Sequence, residues 1–203
     1  MGSAPYAAAF LCRVELYRGN HARAEALATE LIASNRYALI PNAAYAQSWR
    51  RGSAINMDRE AIFYLFARTD INQASYGDNF NPGNTVFGYM AGSRDLFQLF
   101  AANDVRDTSS LFTKRIQSGT TYFYTNKYQG QNDSANSQKL IRISEIYLNR
   151  AEARAKQNNL SGALSDVNTI RARANPQAAP WVINNSTVLV DSILNERRRE
   201  LCF

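Results

Sequence analysis

The chain has 203 residues, of which 45% are hydrophobic and 20% charged, with a formal net charge of +6 and two cysteines. That balance is an ordinary globular one, long enough to bury a core, and it excludes a disulfide framework or a cysteine-built metal site. No run approaches the roughly 20 apolar residues of a membrane-spanning helix. The basic residues are dispersed, and the densest run, Arg197-Arg198-Arg199, lies between Glu196 and Glu200 on a predicted helix. Glu196 and Arg199 stand three apart on it, which argues for a salt-bridged structural face and against nucleic acid as a partner. Met1-Gly2-Ser3 leads directly into a helical pattern with no basic leader, so the chain is expected to be a piece of a longer exported protein.

Residues 4–34 read as a helical hairpin. Ala7, Phe10, Leu11 and Val14 follow helical spacing and mark the expected packed face of the first helix. Gly19-Asn20 supplies a left-handed stop, and Ala24, Leu27, Ala28, Leu31 and Ile32 stripe the second helix. Cys12, beside Leu11 and Val14, is read as a buried free thiol. Residues 36–139 differ in kind, being rich in Asn, Gly, Ser and aromatics. Within them Ala61 to Ala67 reads as a buried strand or short apolar segment, Asn79 to Asn84 as a turn, Asp95 to Phe100 as a short helix and Thr120 to Thr125 as a strand. Gln129 to Gln138 reads as polar loop. So long a stretch with little regular structure is uncommon in a compact domain and is commonly functional.

Residues 140–174 repeat the hairpin. Leu140, Ile143, Tyr147 and Ala151 mark its first helix, Asn158-Asn159 the turn, and Leu160, Ala163, Leu164 and Val167 the second. Leu11-Cys-Arg-Val-Glu15 parallels Leu148-Asn-Arg-Ala-Glu152. Helix pairs of this size with Ala and Leu at the crossings suggest tetratricopeptide-like units. A last helix from about Ser186 carries Val190, Ile193, Leu194 and Leu201. The expected class is therefore mainly all-α: tetratricopeptide-like hairpins with a long loop-rich insertion containing short strands.

The order of charges in the last helices is not generic. Arg142, Glu145, Tyr147, Leu148, Ala151 and Glu152 form one block. Ala163, Asn168, Ile170, Arg171, Arg173 and Ala174 form a second, and Ile193, Leu194, Glu196, Arg197, Arg198, Glu200 and Leu201 a third. Together they resemble the C-terminal signature of the SusD/RagB family, strongly over 140–201 and moderately over 4–40. The resemblance implies a single SusD-like domain over 1–203, truncated at both ends: a hairpin at 4–34, a loop-rich ligand-binding insertion at 36–139 and helical repeats at 140–203. It also implies an outer-membrane, cell-surface lipoprotein for nutrient uptake, with its lipid anchor upstream of this chain. The implied partners are a glycan or other small nutrient and a SusC-like TonB-dependent transporter.

Sugar capture needs flat aromatic faces and planar hydrogen-bonding groups. Of 23 aromatic residues, 14 fall between 62 and 128. Phe63, Phe66, Phe97 and Phe100 sit in apolar runs and are read as core. Trp49, Tyr76, Asn79, Tyr122, Tyr124 and Trp181 sit among polar residues and are the candidate ligand-binding residues. The motif residues Glu145, Arg150, Glu152, Arg171 and Arg197 are assigned to packing between helices, where an unpaired charge would be costly, and Asp104 and Arg106 to bracing a turn. His21 is the only histidine and begins the second predicted helix, so no Ser-His-Asp arrangement or histidine-rich metal site is expected. Paired carboxylates stay open on sequence alone, although Asp78, Asp95, Asp104 and Asp107 sit where turns and helix starts favour Asp. No cofactor is expected; an assisting calcium ion is left open. The expected function is non-enzymatic binding of a nutrient, an oligosaccharide first among the candidates, with delivery to the transporter. The alternative is a tetratricopeptide-type protein-interaction scaffold with no small ligand, and a carbohydrate-active enzyme ranks third.

Overall fold

Proline at the first helical position, where its missing N–H costs nothing, opens α1 (Pro5–Tyr17). Gly19 then adopts φ +80°, open to glycine at no steric cost, and α2 (His21–Ala33) runs back. Ala8, Ala9, Ala24 and Ala28 are almost wholly buried at this crossing, and the Cys12 thiol reaches Ala24 O at 3.4 Å. The packed face of α1 is therefore Ala8, Ala9, Cys12 and Leu16. Phe10, Leu11 and Val14, expected inside, are 38%, 39% and 47% exposed. Close approach of two helices selects small side chains, so the larger apolar stripe is turned outward.

The structure is a computed structural model that describes residues 4–49, 59–65, 90–107, 111–128 and 138–203. After α2 come the single-turn α3 (Asn42–Tyr45) and a 3-10 turn at Gln47–Trp49. Strand β1 (Ala61–Leu65), the single-turn α4 (Arg94–Phe97), β2 (Phe112–Gln117), β3 (Thr120–Thr125) and β4 (Gln138–Arg142) follow. Then come α5 (Ile143–Lys156), α6 (Leu160–Ala174) and α7 (Ser186–Leu201). The architecture is mainly α-helical with short strands, as expected. The differences lie at β2 and β4, which carry too little apolar alternation to register, and at α3, a single turn. Leu140 and Arg142 belong to β4 rather than to the helix that follows.

Helix α5 is the axis of the molecule, packing against α2, α6 and α7. Its buried positions, from Ile143 through Leu148 and Ala151 to Ala155, run round most of its circumference, as befits a helix enclosed on several sides. One core cluster joins Leu27, Ala28 and Leu31 of α2 to Ile62, Ile141, Ile143 and Ile146; a second joins Leu148 and Ala151 to Val167, Ile170, Leu189 and Ile193. The two separated hairpins thus share one spine. Arg150 donates to both oxygens of Asp166 at 2.9 and 2.7 Å, and Arg154 bridges Asp166 (3.0 Å) and Glu25 (2.8 Å), tying α2, α5 and α6 together. Asn159 and Asn185 cap α6 and α7 through side-chain oxygens that accept from Gly162 and Val188 N–H groups.

The strands form two antiparallel pairs. β1 pairs with β4, with Phe63 opposite Ile141 and Tyr64 opposite Lys139. β2 and β3 form a hairpin whose turn is Ser118 (φ +49°) and Gly119 (φ +78°). Positive φ at both central residues is the geometry that matches strand twist in a two-residue loop.

Candidate functional site

A buried ionic cluster holds the loop-rich part of the chain on the helices. Arg106 donates to both oxygens of Asp104 at 2.9 and 2.8 Å, and its other arm reaches Glu196 at 2.8 Å and Glu200 at 3.0 Å on α7. Arg142, at the end of β4, donates to Glu60 (2.9 Å) and Glu200 (2.8 Å), and Arg173 of α6 donates to Glu200 at 2.5 Å. All seven side chains are at most 8% exposed. Asp104 and Arg106 do brace a turn, as expected, and Arg106 also spans to α7. The flanking arginines hold the Glu200 carboxyl well below the usual carboxylate range against the opposing effect of burial.

On the β2–β3 hairpin, alternation places Tyr122 and Tyr124 on one face with Thr113 and Arg115, their cross-strand partners. The two rings are 6.2 Å apart and 23° from parallel. Tyr122 is half-buried, Arg115 and Thr120 are exposed, and Tyr124 is only 4% exposed. Tyr124 therefore backs Tyr122 rather than meeting solvent, a correction to its expected surface position. The opposite face carries Phe123, stacked on Phe97 at 3.7 Å, and Phe112, edge-on to Phe97 at 4.7 Å. That apolar anchorage fixes which hairpin face looks outward.

Trp181 lies on the α6–α7 connection, apart from the hairpin tyrosines. Its N–H donates to Asn168 Oδ1 (2.8 Å), and Asn168 Nδ2 donates back to its carbonyl (3.1 Å). It is half-buried at a cleft of about 210 Å³ that Asp104, Asn175 and Arg199 also line. The Arg171 guanidinium covers one ring face at 4.1 Å, leaving less aromatic surface for a ligand.

Trp49, expected in a polar loop, is 7% exposed. It packs edge-on to Tyr45 and Tyr128, and three cations approach its ring: Lys139 at 4.3 Å, Lys127 at 4.7 Å and Arg142 at 5.1 Å. A buried ring caged in this way is a packing element, not an open platform, and apart from Tyr45 its neighbours come from segments distant in sequence. Tyr76 and Asn79 lie outside the described residues. The structure thus brings together Tyr122 with Tyr124, but not these with Trp181.

A model of the SusD family matches residues 45–203. The chain belongs to the SusD family. Solved structures agree. A candidate sugar-binding protein from Bacteroides vulgatus is 27% identical, with a TM-score of 0.81 over 99% of this chain and 46% of its own. A SusD superfamily protein from Bacteroides thetaiotaomicron is 26% identical, with a TM-score of 0.79 over 96% of this chain and 46% of its own. Surface glycan-binding protein A from Bacteroides uniformis, 22% identical, has a TM-score of 0.70 over 93% of this chain and 44% of its own, and shares the fold. This chain therefore spans just under half the length of these solved proteins. No curated protein matches it in sequence.

In this SusD-family chain the signature residues form the scaffold of the site. Arg142, Arg173 and Glu200 meet in the ionic cluster, while Glu145 accepts from Arg13 at 2.7 Å and from Arg197 at 3.3 Å. Sequence reasoning missed Lys139 and Glu60, whose only local signal is a charge inside or beside a strand. Among the described residues no group of His, Cys, Asp and Glu could hold a metal, and no helix is long and apolar enough to cross a membrane.

The cage also makes the fold more stable in mild alkali than at neutral pH. Burial, with Arg142 next, pushes Lys139 down to about 7, and burial pushes Lys127 down to about 8, from an ordinary 10.5. Below pH 7 both are charged in folded and unfolded chains, so the full penalty of burying the charge applies. Between about pH 7 and 10 the unfolded chain holds the protons that the folded one has released, so stability rises with pH. The urea midpoint should be higher at pH 9 than at pH 6.5, and Lys139→Gln should flatten the difference. A midpoint that falls over that range in the parent protein would contradict the assignment.

Proposed function

We propose that this protein is a non-catalytic glycan-binding component of the cell surface, carried by a lipid anchor upstream of the present sequence and handing its ligand to a TonB-dependent outer-membrane transporter. The observation that carries the reading is the outward face of the β2–β3 hairpin, where half-buried Tyr122, backed by Tyr124, stands beside exposed Arg115 and Thr120. A ring held rigid from behind and ringed by hydrogen-bonding groups suits a sugar, which offers C–H bonds on one face and hydroxyls at its edge. Tyr76, Asn79 and Trp181 are kept as further contacts, Trp181 by its edge. Membership of the SusD family and the likeness to a candidate sugar-binding protein support the same ligand class.

A glycan array followed by calorimetry tests this. Tyr122→Ala should weaken the best glycan about tenfold or more, the cost of truncating a central aromatic contact. Unchanged affinity would remove Tyr122 from the site, and an array with no binder would remove the function. The second reading, a protein-interaction scaffold, is favoured by one observation: Tyr6 (52% exposed), Val14 (47%) and Tyr17 (75%) extend an apolar stripe along the outer side of α1. The same stripe suits a contact with the transporter.

A further inference from the structure

Away from the hairpin tyrosines, a cavity of about 700 Å³ opens between α1, β4 and α7, with the segment around Gly92 and the residues from Leu201 to Phe203 as walls. Its size is that of a site for a small ligand. Five basic side chains line it, Arg13, Lys139, Arg142, Arg197 and Arg198, against one acidic side chain, Glu145. That carboxylate is already committed, accepting from Arg13 at both oxygens (2.7 and 2.7 Å) and from Arg197. Arg142 is neutralised from behind by Glu60 and Glu200. Two cations are left over. Lys139 donates to Ser48 O at 2.9 Å and rests on the Trp49 ring, with no carboxylate within 4.0 Å among the described residues. Arg198 donates to Ser93 Oγ at 3.2 Å and likewise has no acidic partner there.

Unbalanced charge on the wall of a concave, partly apolar space focuses its field into that space. The groups that would answer it are oxyanions, which guanidinium and ammonium donors bind through charge-assisted hydrogen bonds. Leu140 and Leu194 supply apolar wall, and Tyr17 supplies an aromatic ring at the rim, so the cavity suits a ring that carries an anion rather than a bare ion.

We propose that this cavity seats the oxyanion of an acidic sugar residue, a uronate carboxylate or a sulfate ester, with Lys139 and Arg198 as its ligands. The proposal rests on the glycan-binding reading and adds to it a substrate class and a second site. Both sources present the same compact oxyanion on a sugar ring.

Calorimetry on the full chain at pH 6, where Lys139 carries its proton, separates the outcomes, using a galacturonate oligomer, a sulfated galactose oligomer, a neutral galactose oligomer of equal length, and inorganic sulfate. At least one acidic oligomer should bind ten times or more tighter than the neutral one, and the advantage should shrink as salt rises. Arg198→Gln, at an exposed position, and Lys139→Gln should each remove most of that advantage while circular dichroism stays unchanged. Occupancy should also shift Trp49 fluorescence, read in a Trp181→Phe background. Equal binding of acidic and neutral oligomers would overturn the proposal and leave the glycan reading standing. Binding of inorganic sulfate alone would overturn it as well, as would an acidic preference that survives in Arg198→Gln and Lys139→Gln. No binding of any oligomer would overturn both.

Discussion

Glu200→Gln should destabilise the protein by about 3–5 kcal/mol, the cost of breaking a buried ion pair so that its partners stay behind. Glu200 is wholly buried and accepts from Arg106, Arg142 and Arg173, which come from the 99–107 segment, β4 and α6. Three cations would lose their common carboxylate in one step, and with total stabilities of about 5–15 kcal/mol many such variants would be largely unfolded at 37 °C. The check is the urea midpoint at 25 °C. A change below about 1 kcal/mol would mean that Glu60, Glu196 and Asp104 suffice for the three arginines. Acid should reproduce the effect. Because the folded-state value of Glu200 is depressed, its contribution is present above the unfolded value near 4.5 and is lost as pH falls through the lower folded one. Stability should therefore drop steeply below about pH 4.5, and Glu200→Gln should blunt that drop. The neutral-pH loss and the acid loss share one cause, so the two should not add.

Leu148→Ala should cost about 2–5 kcal/mol, the range for deleting a large aliphatic side chain from a core that cannot collapse into the gap. Leu148 is fully buried on α5 and packs in one cluster with Val167 and Ile170 of α6 and Leu189 and Ile193 of α7. With α5 and α6 held by Asp166 and its arginines and α7 packed against both, there is little room to close over a cavity. Leu194→Ala is the control: Leu194 is on α7 but 44% exposed, and its loss should stay within about 0.5 kcal/mol. Similar costs for the two would mean that the stack α5–α6–α7 is looser than its packing indicates. The glycan-binding consequences should separate cleanly from these, since Tyr122 lies on a hairpin anchored by Phe97 and Phe112 rather than on the helical spine.

The helices were legible because helical periodicity is a local property. The stripes of α2, α5 and α6 lie where Leu27, Leu31, Ile143, Ala151 and Val167 put them. α1 shows the limit of that reasoning. Ala8, Ala9, Cys12 and Leu16 keep helical spacing as faithfully as Phe10, Leu11 and Val14, and only the distance to α2 selects the smaller set. β1 and β3 were readable from composition, whereas β2, with Lys114 and Arg115 exposed, carries too little apolar alternation to register. Trp49 looked exposed beside Arg50 and Arg51; burial came from Tyr45, Lys127, Tyr128 and Lys139, none of which its neighbours in sequence reveal.

By itself, then, the sequence determined the helical hairpins and the family, because each depends on residue type and short-range spacing. Tertiary structure decided which of two apolar stripes on α1 faces inward, which aromatic rings meet solvent, and which cations at the cavity beside α7 have no acidic side chain beside them among the described residues. Those are outcomes of packing between distant segments, where volume and charge must balance across contacts that chain order does not encode.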